Sequence, residues 1–225
     1  MSKPNLKQIL DALSRQVLVG KAYLEIAKGL LQSDPVIRQG SEIFWGLTIN
    51  GSLQLAQITV AKLYDRTPGA IAVPAMLYHA ACERATFQRG SLAEVDEAIF
   101  KAAQRVISLQ PTVRIIRKRR NKWLVHLDPE AVANPVALTV KAALTFPELE
   151  SALKATEATL VDLASLYEGI VFATDLRFKN DFKSALNWIR TAKCRFIEDF
   201  EKEFGAGSWR DLRPHDCSRS KFELI

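Results

Sequence analysis

Arginine and histidine six positions apart, Arg120 and His126, lie in the stretch Arg117-Lys-Arg-Arg-Asn-Lys-Trp-Leu-Val-His126. A guanidinium is a permanent fork of donors that fits a phosphate or carboxylate, and an imidazole exchanges protons near neutral pH. Together they offer a phosphate clamp and a proton carrier. Helical spacing puts Val113, Ile116, Leu124 and Leu127 on one stripe, with Arg120 in its middle. A cation on an apolar stripe requires an anion, because an unpaired buried charge costs several kcal/mol, roughly. That anion is either a ligand or a carboxylate of the chain, and Asp65 is the internal candidate.

The surroundings are basic. Six of the nine residues from Arg114 to Lys122 are Arg or Lys, so Arg114, Arg117, Lys118, Arg119 and Lys122 either attract phosphates, with salt-dependent affinity, or form a solvated helix face. The whole chain carries a formal charge of +6. On an ideal helix Arg120 and His126 point about 120° apart and stand roughly 9 Å apart along the axis. Convergence therefore needs either a loosened helix before Asp128-Pro129 or a second subunit supplying one of the two residues. Arg119, seven residues before His126, shares its face and is the rival arginine.

The elements that position this segment read as helices. Leu6, Leu10, Leu13, Val17, Leu24, Ala27 and Leu31 mark a long first helix, broken at Asp34-Pro35. Phe44, Leu47, Gly51, Leu55 and Ile58 form the apolar seam of a second, ending near Arg66-Thr-Pro-Gly69, with Gly46, Gly51 and Ser52 allowing close helix approach or a kink. A short helix is expected around Met76 to Arg84. Ser91-Leu-Ala-Glu94 and Thr145-Phe-Pro-Glu148 are capping boxes ahead of two further helices. Gln110-Pro111 precedes the basic helix, residues 129 to 144 are mostly irregular, and Phe182 to Phe200 marks a last long helix ending at Gly205. The expected fold is all-α, an antiparallel bundle of five or six helices over residues 1–204, followed by a basic, loosely ordered tail, 205–225.

Composition bounds the rest. Hydrophobic residues make up 48% of the 225, yet no apolar run approaches the roughly 20 residues of a membrane span, so a cytoplasmic protein with no membrane partner is expected. Three cysteines, Cys82, Cys194 and Cys217, fit neither a disulfide framework nor a zinc spacing. His79 and Cys82 read as core residues, and His215-Asp-Cys217 as too loosely held for nucleophilic attack. Trp188 and Phe196 read as packing groups. Gly205-Ala-Gly207 lacks the strand and helix of a phosphate loop, and no metal or cofactor is expected.

Arg120-Asn-Lys-Trp-Leu-Val-His126 resembles the Arg-polar-x-x-x-x-His signature of the HEPN superfamily, and the chain is most similar to its abortive-infection branch. Leu-Asp-Pro129 after the motif and Ala56-Gln-Ile-Thr-Val-Ala-Lys-Leu-Tyr-Asp-Arg66, which looks like the branch's upstream helix, extend the likeness over roughly residues 1 to 200. The resemblance implies a metal-independent endoribonuclease of a defence or toxin system, homodimeric, with a composite site where two motif helices meet. It implies Arg120 and His126 as catalytic pair, Asn121 as polar support, RNA as substrate and an antitoxin or regulator as a further partner. A tyrosine two residues after the histidine, found in members controlled by nucleotidylation, is replaced by Asp128. The other class of function open to the sequence is a non-catalytic helical module that binds nucleic acid or a partner protein through the basic helix.

Overall fold

A computed structural model describes residues 4–39, 41–121, 144–169 and 177–207 of the chain. Eight α-helices lie among the described residues, against the five or six expected: α1 (Leu6–Gln32), α2 (Pro35–Arg38), α3 (Glu42–Leu63), α4 (Val73–Cys82), α5 (Leu92–Ser108), α6 (Gln110–Arg119), α7 (Phe146–Tyr167) and α8 (Arg177–Phe204). The fold is all-α.

Local chemistry starts these helices. Asn5 and Gln8 close a capping box at α1, as Ser91 with Glu94 do at α5 and Thr145 with Glu148 at α7; each pairs two amide donors that a helix start leaves open. Asp34-Pro35 ends the first helical run and also begins α2, because Asp34 accepts from the Val36 amide and proline suits the first turn. Pro111 likewise sits in the first turn of α6, so only Leu109 separates α5 from α6.

α1 is the central element, packed between α3 and α7. Leu6, Ile9, Leu10, Leu13, Val17 and Leu24 supply its buried face, and Gly20 lets both neighbours come close: a Cβ there would stand 2.8 Å from Leu153 and 3.2 Å from Thr59. Lys21–Glu157 at 2.8 Å and Lys28–Glu150 at 2.9 Å flank the α1–α7 contact. α5 and α6 complete the core through Ala102, Val106, Val113 and Ile116.

Three expectations are corrected. The seam expected on α3 faces outward: Phe44, Leu47 and Leu55 are exposed, while Ser52, Ala56, Thr59 and Val60 are buried. Small residues on that side bring α3 close to α1, which leaves the bulky side opposite; Ser52 is buried on the α1 side, but a Cβ on Gly46 or Gly51 would meet nothing within 4 Å. Trp188 and Phe196 are exposed rather than packed, because α8 lies against α1 and α2 at the edge of the bundle and buries none of its described side chains fully. Cys82 is exposed and His79 half-buried, with Nδ1 3.8 Å from Glu83, so neither belongs to the core.

Candidate functional site

The basic helix begins where the packing demands it. Val113 and Ile116 are fully buried on α6 and fix its rotation, which leaves Arg114 and Lys118 exposed and brings Arg117, Arg119 and Arg120 to half-buried positions. At Arg120 and Asn121 the helix passes into a wider turn of the π type, a local feature that re-aims side chains and is frequent at functional sites. Lys122 and His126 lie outside the described residues.

Arg120 meets the end of α3. Its Nη1 lies 3.6 Å from Asp65 Oδ2, with about a quarter of each side chain exposed (27% and 29%). Its Nε donates to Asn121 Oδ1 at 2.9 Å. Asp65 itself is fixed by an Asx turn, in which Oδ1 accepts from the Thr67 amide at 2.9 Å and the Thr67 hydroxyl at 2.8 Å. Those two hydrogen bonds, with Arg120 adding to them, hold the Asp65 carboxyl below its ordinary range. The internal carboxylate that the sequence offered to Arg120 is thus its neighbour, held by a loose and solvent-accessible contact.

Around this pair other groups brace the joint between α3 and α6. The Arg117 guanidinium donates to the Tyr64 carbonyl at the end of α3, and burial, then the nearby Arg66, pushes its pKa down. Arg66 donates to Gln110 Oε1 at 2.7 Å, tying the loop after α3 to the start of α6. Tyr64 is buried and shares a 2.6 Å hydrogen bond with Thr156 of α7; burial pushes its phenol up to about 12. Burial also lowers the pKa of Arg119.

Of the residues singled out in the sequence, then, the structure brings Arg120, Asn121 and Asp65 together, points Arg114 and Lys118 to solvent, and engages Arg117 in the frame. Tyr64, Thr67 and Gln110 were missed. The Asp-x-Thr spacing of Asp65 and Thr67 is a turn signal that sequence does carry, whereas the Tyr64–Thr156 pair joins residues with no local relation. Among the described residues no group of three His, Cys, Asp or Glu side chains is placed to hold a metal ion, and no helix is long and apolar enough to cross a membrane.

An all-helical bundle with an arginine-polar pair on a late basic helix, followed six residues later by histidine, is the construction of a HEPN domain. The profile of one HEPN family, AbiU2, matches residues 3–183, and the chain belongs to that family. The matched span takes in the helices α1 to α7, the start of α8, and both Arg120 and His126. Neither a curated protein nor a solved structure matches the chain.

Proposed function

We propose that this protein is a homodimeric, metal-independent endoribonuclease of a defence or toxin system, acting on RNA in the cytoplasm. The observation that carries the proposal is the seating of Arg120. It is held on one side by Asp65 and on the other by Asn121, yet keeps about a quarter of its surface open. A contact of 3.6 Å gives little stability at a solvated site, so a phosphate that presents two oxygens to the guanidinium competes well with Asp65.

The reaction follows from these groups. The ribose 2'-hydroxyl attacks the adjacent phosphorus, its O–P bond forms as the bond to the 5'-oxygen breaks, and the products carry a 2',3'-cyclic phosphate and a 5'-hydroxyl. His126 takes the 2'-proton or delivers one to the leaving 5'-oxygen, work suited to a group that titrates near neutrality. Arg120 stabilises the charge that builds on the non-bridging oxygens. Asn121 keeps the Arg120 fork in place. Arg114, Lys118, Arg119 and Lys122 contact flanking phosphates, and Arg117, tied to the Tyr64 carbonyl, orients α6 as well as adding positive potential. Arg120 and His126 do not converge on one ideal helix; the π-type turn at Arg120 and Asn121 loosens this one. Of the two routes to convergence we propose the composite one, in which each site has one residue from each subunit. Residues 1–204 form the catalytic domain, residues 205–225 form a basic tail, and a partner antitoxin or regulator restrains the activity.

The test is cleavage of RNA by purified protein in chelator. His126→Ala and Arg120→Ala are expected to lose activity at least 100-fold while remaining folded, and cyclic-phosphate ends are expected among the products. Cleavage that persists in His126→Ala, once contaminating nuclease is excluded, removes that residue from its role.

The Arg120–Asp65 contact also favours a second reading, in which the pair only joins α6 to α3 and the exposed Arg114 and Lys118 make a non-catalytic binding surface for nucleic acid or a partner protein. Salt-dependent RNA binding without cleavage, weakened by Arg114→Gln and Lys118→Gln, selects that reading.

A further inference from the structure

α3 turns its bulkiest apolar side chains to solvent. Ile43 is 82% exposed, Leu47 68%, Phe44 59% and Leu55 42%. At about 100° per residue, Phe44, Leu47, Gly51, Leu55 and Ile58 fall within roughly 80° of one another. The opposite side of the helix is occupied by α1, against Ser52, Ala56, Thr59 and Val60. A helix that is apolar on both sides is one that is covered on both sides, and among the described residues α1, with smaller contacts from α6 and α7, covers α3 on the side away from this stripe.

We infer that this outward stripe is the seam of the homodimer, with the two α3 helices side by side and parallel about a two-fold axis. This rests on the composite-site reading above and adds the interface and its orientation. Three observations carry it. First, the area is of the right order: at roughly 150–200 Å² per side chain, the exposed fractions of Phe44, Leu47 and Leu55 amount to about 300 Å² per protomer, and Ile43 at the border of the stripe adds about 100 Å². Two copies face to face then hide about 800 Å² of apolar surface, and a polar rim of a further ~200 Å² brings the total to the roughly 1,000 Å² expected of a specific interface. Second, a Cβ at Gly51 would meet nothing within 4 Å, so a second helix can approach the backbone in the middle of the stripe. Third, the row reaches Lys62 in the last turn of α3, three residues before Asp65, the residue beside Arg120.

The third observation sets the orientation. In a parallel pair the two Asp65–Arg120 contacts lie at the same end of the seam and open into one cleft. In an antiparallel pair crossing at Gly51 they stand about 40 Å apart, since fourteen residues of helix span roughly 21 Å on each side. Only the parallel pair lets one subunit complete the other's site.

Sedimentation of the full chain tests the seam, and cross-linking tests its direction. The wild type is expected to be a dimer at micromolar concentration, and Leu47→Asp/Leu55→Asp to weaken dimerisation at least 100-fold with unchanged helical circular dichroism. Gly51→Arg, at a position where a Cβ meets nothing within 4 Å in the monomer, is a second variant with the same expected loss. With Cys82, Cys194 and Cys217 replaced by serine, Phe44→Cys is expected to form a disulfide-linked dimer, because parallel pairing puts Phe44 opposite its own copy. A monomeric wild type, a dimer indifferent to Leu47→Asp/Leu55→Asp and Gly51→Arg, or a Phe44→Cys dimer that cross-links only with Ile58→Cys overturns the inference. Cleavage measured on the same preparations separates the two claims: a seam dimer without cleavage sinks the nuclease, and cleavage by a dimer indifferent to the stripe sinks the seam.

Discussion

Replacing Tyr64 by phenylalanine removes one hydroxyl from the point where α3, α6 and α7 meet. The Thr156 hydroxyl donates to the Ala152 carbonyl at 2.8 Å, so in the 2.6 Å contact with Tyr64 it accepts and the phenol donates. Tyr64→Phe therefore leaves no buried donor without a partner and is expected to cost about 0.5–1.5 kcal/mol. Thr156→Val leaves the phenol O–H buried and unsatisfied, which costs about 1–3 kcal/mol; the second substitution is the more damaging of the two. The pH dependence follows from the raised phenol, about 12 against an ordinary 10.0. A folded-state pKa above the unfolded one gives stability that is whole below pH 10 and declines as pH rises through 12. At pH 11 the decline attributable to this group is about 1.4 kcal/mol, one unit's worth of linkage. Urea unfolding of the wild type and Tyr64→Phe at pH 8 and pH 11 measures it, the variant cancelling the contribution of titrating lysines. The wild type is expected to be more stable at pH 8 by about 1 kcal/mol and to lose that advantage by pH 11. An advantage that stays constant between the two pH values refutes the argument from burial. RNA cleavage at pH 8 is expected to be unchanged, because Tyr64 serves the frame through its main chain and ring.

Other consequences are quicker to state. Ser91→Ala and Thr145→Ala each remove a closed capping box and are expected to lower stability by about 1 kcal/mol in thermal or urea unfolding. Hydrogen bonds from Lys28 and Lys154 hold the Glu150 carboxyl down at about 2; with the folded pKa depressed, its contribution is present above pH 4.5 and lost as pH falls through 2. Glu150→Gln should thus destabilise at pH 7 by under ~1 kcal/mol after solvent screening, and by less at pH 3. Asp65→Asn keeps the turn to Thr67 but removes the charge with which a phosphate competes for Arg120, and is expected to lower the KM for RNA with little change in unfolding midpoint.

Much of the fold is legible in the sequence because it is written locally. Asn5, Ser91 and Thr145 announce helix starts by chemistry confined to four residues, and Pro35 and Pro111 mark first turns. The rotation of α3 is not local. Its composition is apolar on every side, so periodicity finds Phe44, Leu47 and Leu55 but cannot tell that small Ser52, Ala56 and Thr59 win the contact with α1. The same applies to α8, whose aromatic spacing looks like a core seam although little of the bundle reaches it. At the site, Arg120 beside Asp65 was foreseeable, since an arginine on an apolar stripe needs an anion. The anchoring of Arg117 on the Tyr64 carbonyl was not, because a main-chain acceptor 53 residues away leaves no trace in side-chain pattern.

The composite site is tested most directly by mixing two inactive proteins. Arg120→Ala and His126→Ala are each purified, unfolded together and refolded in chelator with RNA. Random pairing makes half the dimers mixed, and each mixed dimer holds one complete site and one empty one, so about a quarter of the wild-type activity is expected to return. Activity that stays at the level of the separate variants, while the wild type refolded in the same way cleaves RNA, contradicts a site shared between subunits.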